Sequence, residues 1–187
     1  MIGELPTQIK IAGKEYSIRT DFRDVLKILC AFNDPELENE EKIYISLYIL
    51  FENFDDIPQK HYKEAFEKAI SFIDQNATES NKHSPRVMDW EQDENIVFPA
   101  INKIAGFETR ASKYIHWWTF MGYYMEISEG IFSQVLALRS KKAKGKKLEK
   151  WEKEFWSNNH DICVLKTKLT EEEKIELENL NKMLGGV

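Results

Sequence analysis

The chain has 187 residues, 42% of them hydrophobic and 31% charged, with a net charge of −6 and a pI near 5.4. That is enough apolar matter for one well-packed domain and too much for a disordered chain. The acidic balance disfavours bulk attraction to nucleic acid or anionic lipid. Two widely separated cysteines, Cys30 and Cys163, give no disulfide framework, so a reducing cytoplasm is expected.

The start, MIGELPTQIK, has no apolar core of a signal peptide, and no stretch reaches the roughly 18 to 20 apolar residues of a membrane span. Residues 7 to 19 alternate through Ile9, Ile11, Tyr16 and Ile18 around a glycine turn. This predicts a β-hairpin, which must pack on something or gain a third strand to persist. Thr20 or Asp21 then suits a helix N-cap, followed by Phe22, Val25, Leu26, Leu29 and Cys30 at helical spacing and stopped by Asn33-Asp34-Pro35. After an acidic stretch, residues 43 to 54 are apolar on nearly every side, which predicts a central, wholly buried helix.

Asp55-Asp56-Ile57-Pro58 signals another helix start, with Tyr62, Ala65, Phe66, Ala69, Ile70 and Ile73 on one face. Residues 76 to 86 have almost no apolar content and read as a loop. The helical period resumes from Asp89 to Ala105, with Pro99 predicting a kink or break near Ile96 to Phe98 and Gly106 placed to terminate it. The segment KYIHWWTFMGYYME, Lys113 to Glu126, is half aromatic if histidine is counted. A helix from about Ala111 to Ile127 is expected there. Trp117, Trp118, Phe120, Met121, Tyr124 and Met125 span too wide an arc for one exposed stripe, so these six are assigned to the core.

A shorter helix, Ile131 to Arg139, precedes a lysine-rich stretch, Ser140 to Lys150, read as a solvated linker or fraying helix end. A further helix carries Trp151 and Phe155. Thr170 and Glu173 form a capping box for a last helix with Ile175, Leu177, Leu180 and Leu184. The expected fold is α+β and predominantly α: an N-terminal hairpin packed on a bundle of about six or seven helices. Residues 1–139 form the main unit, and 140–187 a lysine-rich hinge with C-terminal helices docked on it.

Motifs of chemistry are few. Asp89 to Glu94 begins like a calcium-binding loop, but its sixth position is Glu94 and its twelfth Ala100, so both the turn glycine and the bidentate glutamate are missing. His160 and Cys163 could offer two metal ligands, with no second pair to complete a site. His116 reads as a core histidine rather than a base. The residues give no catalytic site, metal site or cofactor, and the expectation is a protein without enzymatic activity. Lys141 to Lys147 contain no aromatic residue within the run, so protein binding is expected before nucleic-acid binding.

Three segments occur in a recognisable order: GKEYSIRTDFRDVLKI with Arg19, Thr20, Asp21 and Phe22; EQDE with Asp89, Gln92 and Asp93; and IHWWTFMGYY with His116, Trp117, Trp118 and Phe120. This order resembles the gene-product-fifteen family of long-tailed phages and prophages of Gram-positive bacteria. The resemblance covers about Leu5 to Arg139. Pro99 departs from it, and the tail after Lys141 lies outside it. The family's gene position, between the major tail protein and the tape-measure protein, implies a tail assembly chaperone. It would act in the cytoplasm of the bacterial host, holding the tape-measure protein soluble with many copies per client. A structural tail or connector protein retained in the virion is the alternative, and self-association is left open.

The residues free to contact such a partner are Trp151, Phe155, Trp156, Ile162, Val164, Leu177, Leu180 and Leu184, with Lys141, Lys142, Lys144, Lys146 and Lys147 to steer it. Either these helices swing on the lysine-rich hinge, or they dock on the bundle and complete its core. Exposed tryptophans on a monomer favour docking.

Overall fold

The computed structural model describes residues 3–77 and 85–183. The chain begins with an antiparallel hairpin of β1 (Gln8–Ile11) and β2 (Lys14–Ser17), in the register Ile9 opposite Tyr16 and Lys10 opposite Glu15. Its two-residue turn, Ala12-Gly13, has positive φ at both positions (47° and 86°), as a primed turn requires. The Glu64 carboxylate accepts the Ala12 N–H at 3.1 Å and ties this turn to a later helix. In place of a third strand, the end of a helix lies beside the hairpin. Ile18 bridges to Phe51, Glu52 N–H donates to the Ser17 carbonyl, and Arg19 N–H donates to that of Leu50.

Nine α-helices follow among the described residues: α1 Phe22–Phe32, α2 Asn39–Leu50, α3 Tyr62–Ile73, α4 Glu94–Ala105, α5 Trp117–Met125, α6 Ile131–Ala143, α7 Lys150–Asn158, α8 His160–Cys163 and α9 Glu171–Met183. An α-rich α+β fold with an N-terminal hairpin is therefore established. One core joins the hairpin and the helices α1 to α6. At its centre the Phe22 ring stacks on Phe120 at 4.2 Å between centroids, with Phe98 tilted against both.

The local signals act where expected. Asp21 caps α1, its carboxylate accepting from Arg23 N–H, and Gly106 closes α4 with φ of 80°. Thr170 and Glu173 exchange both bonds of a capping box at the start of α9.

Several expectations are corrected. The helix placed at residues 43 to 54 is α2, which ends at Leu50 and is not buried all round. Leu47 and Leu50 face the core, whereas Tyr44 and Tyr48 are more than half exposed. An apolar count does not separate a tyrosine that lies flat on the surface from one inside. The aromatic helix is also shorter than expected. Residues 109–111 form a 3-10 turn, residues 114–116 run extended into a bridge at His116, and α5 starts only at Trp117. Of its six assigned core residues, Trp117 and Phe120 are buried, Trp118, Met121 and Tyr124 are half-buried against the core, and Met125 is 61% exposed. Met125 closes the last turn of a nine-residue helix and points off its outer side, so it leaves the core set.

Pro99 lies inside α4 without ending it. The carbonyl freed by the missing donor belongs to Asn95, and both residues are exposed, so water can meet that carbonyl. The loop assigned to residues 76–86 falls largely on residues outside those described.

The lysine-rich stretch is ordered at its start. Helix α6 runs through Lys141 and Lys142 and closes in a Schellman motif. Lys146 N–H donates to the Lys141 carbonyl, Gly145 N–H donates to that of Lys142, and Gly145 takes φ of 68°. Lysines at this helix end suit the negative pole of the helix dipole.

Candidate functional site

Most of the residues that carry the family resemblance make a tie between segments far apart in sequence. The Arg19 guanidinium donates to the carbonyls of Tyr48, Ile49 and Phe51 at 3.1, 2.8 and 3.0 Å. Helix α2 has no basic residue in its last turn, so Arg19 supplies both the hydrogen bonds and the charge that its C-terminus lacks. Thr20 shares a 2.6 Å hydrogen bond with the Tyr114 hydroxyl, and its carbonyl accepts Trp117 N–H at 2.7 Å. One oxygen of Asp21 caps α1 while the other accepts Ile115 N–H, and an isolated bridge pairs Asp21 with His116.

His116 is buried at the N-cap of α5. Its Nδ1 accepts Trp118 N–H at 3.0 Å, which leaves the proton on Nε2 to donate to the Pro6 carbonyl at 3.0 Å. Both nitrogens are occupied, as befits a core histidine. The two adjacent tryptophans share one task. Trp117 Nε1 donates to Ile73 O at 2.8 Å and Trp118 Nε1 to Phe72 O at 2.9 Å, so both indoles seal the end of α3.

The acidic motif does the same for the C-terminal half. Asp89 accepts the N–H groups of Glu91 and Gln92 and pairs with Arg86. Gln92 acts as a surrogate strand: its amide donates to Val164 O and accepts Lys166 N–H. Asp93 forms a bidentate ion pair with Arg139 at 2.7 and 2.8 Å, with side chains 1% and 4% exposed. Arg139 spends its other three donors on the carbonyls of Val87, Ile162 and Cys163. All five guanidinium N–H groups are therefore satisfied, and one side chain fastens α6, α8 and the entry to α4. Sequence reading placed Arg139 only as the last residue of a helix. No local signal distinguishes a buried arginine from a solvated one.

The residues expected to meet a partner do not form one surface. Ile162, Val164, Phe155 and Trp156 are half-buried in the docked α7–α8 unit. Lys141 is paired with the Glu152 carboxylate at 2.7 Å, and Lys142 lies 3.9 Å over the Trp156 ring. The Lys141 ammonium, with the Glu149 N–H, holds the Glu152 carboxyl below the usual carboxylate range. Lys144, Lys146 and Lys147 are exposed, as are Trp151 (56%), Leu177 and Leu180. Leu184 lies outside the described residues. Helix α9 stands apart from the core, every residue from 171 to 180 being exposed, and one backbone N–H, that of Glu171, donates to the Glu36 carboxylate.

Another surface, unmarked in the sequence, lies along α2. Tyr44 and Tyr48 stack in parallel at 6.3 Å, each edge-on to Phe54. Beside them Leu37, Ile43, Ile45 and Tyr62 line an open apolar groove of ≈ 600 Å³, with Glu40 and Glu41 on its rim.

Among the described residues, no group of three or more His, Cys, Asp or Glu side chains could hold a metal ion, and no helix is long and apolar enough to cross a membrane. His160 is exposed and Cys163 buried.

The chain is thus a helical scaffold whose motif residues are mostly internal ties, with apolar surface left on its outer helices. The chain belongs to the bacteriophage Gp15 protein family: the family model, Bacteriophage Gp15 protein, matches residues 1–165. The match takes in α7 and α8 and stops short of α9. Comparison with curated proteins and with solved structures gave no match.

Proposed function

We propose that this phage protein is a tail assembly chaperone without enzymatic activity, acting in the host cytoplasm to keep the tape-measure protein soluble before the tail tube polymerises. Membership of the Gp15 family supports a phage role. The observation that carries the chaperone reading is α9. A helix of thirteen residues is marginal in water by itself, and this one leaves Ile175, Leu177 and Leu180 58%, 47% and 50% exposed. Leu177 and Leu180 share a shallow apolar groove with Leu169. Such a stripe gains by packing on an amphipathic helix of a client. Many copies, each holding weakly, would coat a long helical client by avidity.

Mass spectrometry of purified phage particles tests this against a structural role. A chaperone is absent from the particle. Recovery in fixed stoichiometry with the tail tube protein would make the chain a structural tail or connector component instead.

A further inference from the structure

Two exposed surfaces of this chain are opposite in charge and alike in their aromatic content. The α2 groove has an apolar floor and a rim of Glu40 and Glu41, with Glu38 at the helix start. At the α6–α7 corner, Trp151 is exposed on the first turn of α7, and Lys146, Lys147 and Lys150, just before it in the chain, are exposed too. Each side carries some opposing charge, Lys42 and Lys60 near the groove, Glu149 and Glu154 near the corner. The excess on each side remains acidic at the groove and basic at the corner. Trp151 is anchored for presentation: its Nε1 donates to Glu149 at 3.2 Å, and Glu149 and Glu152 form the capping box that starts α7.

We propose that the Trp151 corner of one copy seats in the α2 groove of a second copy. The indole fills the apolar floor beside Tyr44, and the lysines pair with the glutamate rim. The net charge of −6 opposes indiscriminate association, so pairing needs a local basic patch of this kind. The contact is heterologous, with different surfaces on the two copies, so each copy keeps one free groove and one free corner. One tryptophan anchor buries on the order of 150–250 Å², far below the roughly 1,200 Å² of a stable interface. The contact is therefore weak, with Kd of about 0.1–1 mM, and weakened by salt. It stands independently of the chaperone reading.

Sedimentation of the full chain tests it. Wild-type protein should rise in mean mass as concentration approaches about 1 mM, less so in high salt. A groove variant (Glu40→Lys with Tyr44→Ser) and a corner variant (Trp151→Ala with Lys150→Glu) should each associate at least tenfold more weakly. All four residues are exposed, and Glu40→Lys or Trp151→Ala alone serves if a pair disturbs the fold. Mixed together, the two variants should form a 1:1 heterodimer and stop there, because one intact groove and one intact corner remain. A monomeric wild type throughout this range, variants that associate like wild type, or a mixture that stays monomeric would each overturn the proposal.

Discussion

Asp93 and Arg139, 46 residues apart, meet as a buried bidentate pair in which every guanidinium donor has an acceptor. Such a pair adds little over well-packed apolar residues, but removing one member strands a charge. Arg139→Leu or Asp93→Ala should therefore cost about 3–5 kcal/mol in urea unfolding. Replacing both with apolar residues of matching volume should cost less than either alone. A single variant that unfolds like wild type would mean that the pair is hydrated and not holding α6, α8 and α4 together.

The two tryptophans should separate. Trp117 is 1% exposed, so Trp117→Ala should cost about 3–5 kcal/mol. Trp118 is half-buried, and Trp118→Ala should cost about 1–2 kcal/mol, from part of a ring and one hydrogen bond. Thermal melts of the two variants check the order. Equal losses would contradict the burial described above.

The end of α6 gives a backbone test. Gly145 holds φ of 68°, where a Cβ is strained, so Gly145→Ala should destabilise by about 1–2 kcal/mol. The amides of Gly145 and Lys146 should also exchange slowly with deuterium. Fast exchange at both would show that the Schellman motif opens in solution.

Glu108 sets a pH window. Its carboxylate accepts from the Arg110 guanidinium and backbone and from Asn102, which lowers its pKa from 4.5 to about 2. The folded value lies below the unfolded one. The contribution is thus fully present above 4.5 and is lost as pH falls from there towards 2. Because the group is exposed, the stability effect is small. Carboxyl-carbon NMR should show Glu108 titrating near 2 in the wild type and higher in Arg110→Ala, which loses the guanidinium but keeps the backbone N–H and Asn102 bonds.

Much of the fold was readable because its signals are local. The hairpin turn, the Asp21 cap, Gly106 and the Thr170–Glu173 box each depend on residues within a few positions of one another. What was misread depends on distant partners. The extended run before Trp117 exists because Phe22 N–H reaches the Ile115 carbonyl and Asp21 reaches His116, across more than ninety positions. Tyr44 and Tyr48 look like core residues until the packing of α1 and α3 fixes which side of α2 is covered. Docking of the C-terminal helices was the favoured reading, but hydrophobicity does not reveal that Glu152 would hold Lys141, or that Cys163 and Ile162 would supply carbonyls to Arg139. For the same reason, a cut before Ser140 is not a clean test of partner binding. It removes acceptors that buried Arg139 requires, whereas a cut after Leu169 spares them.

The most direct test of the chaperone account is therefore co-expression of the tape-measure protein with either the full chain or residues 1–169. The full chain should keep the tape-measure protein in the soluble fraction. Residues 1–169 should fold cooperatively, with a melting temperature near that of the full chain, yet leave the tape-measure protein insoluble. Equal solubilisation by both would remove α9 from client binding, and no solubilisation by the full chain would contradict the chaperone function itself.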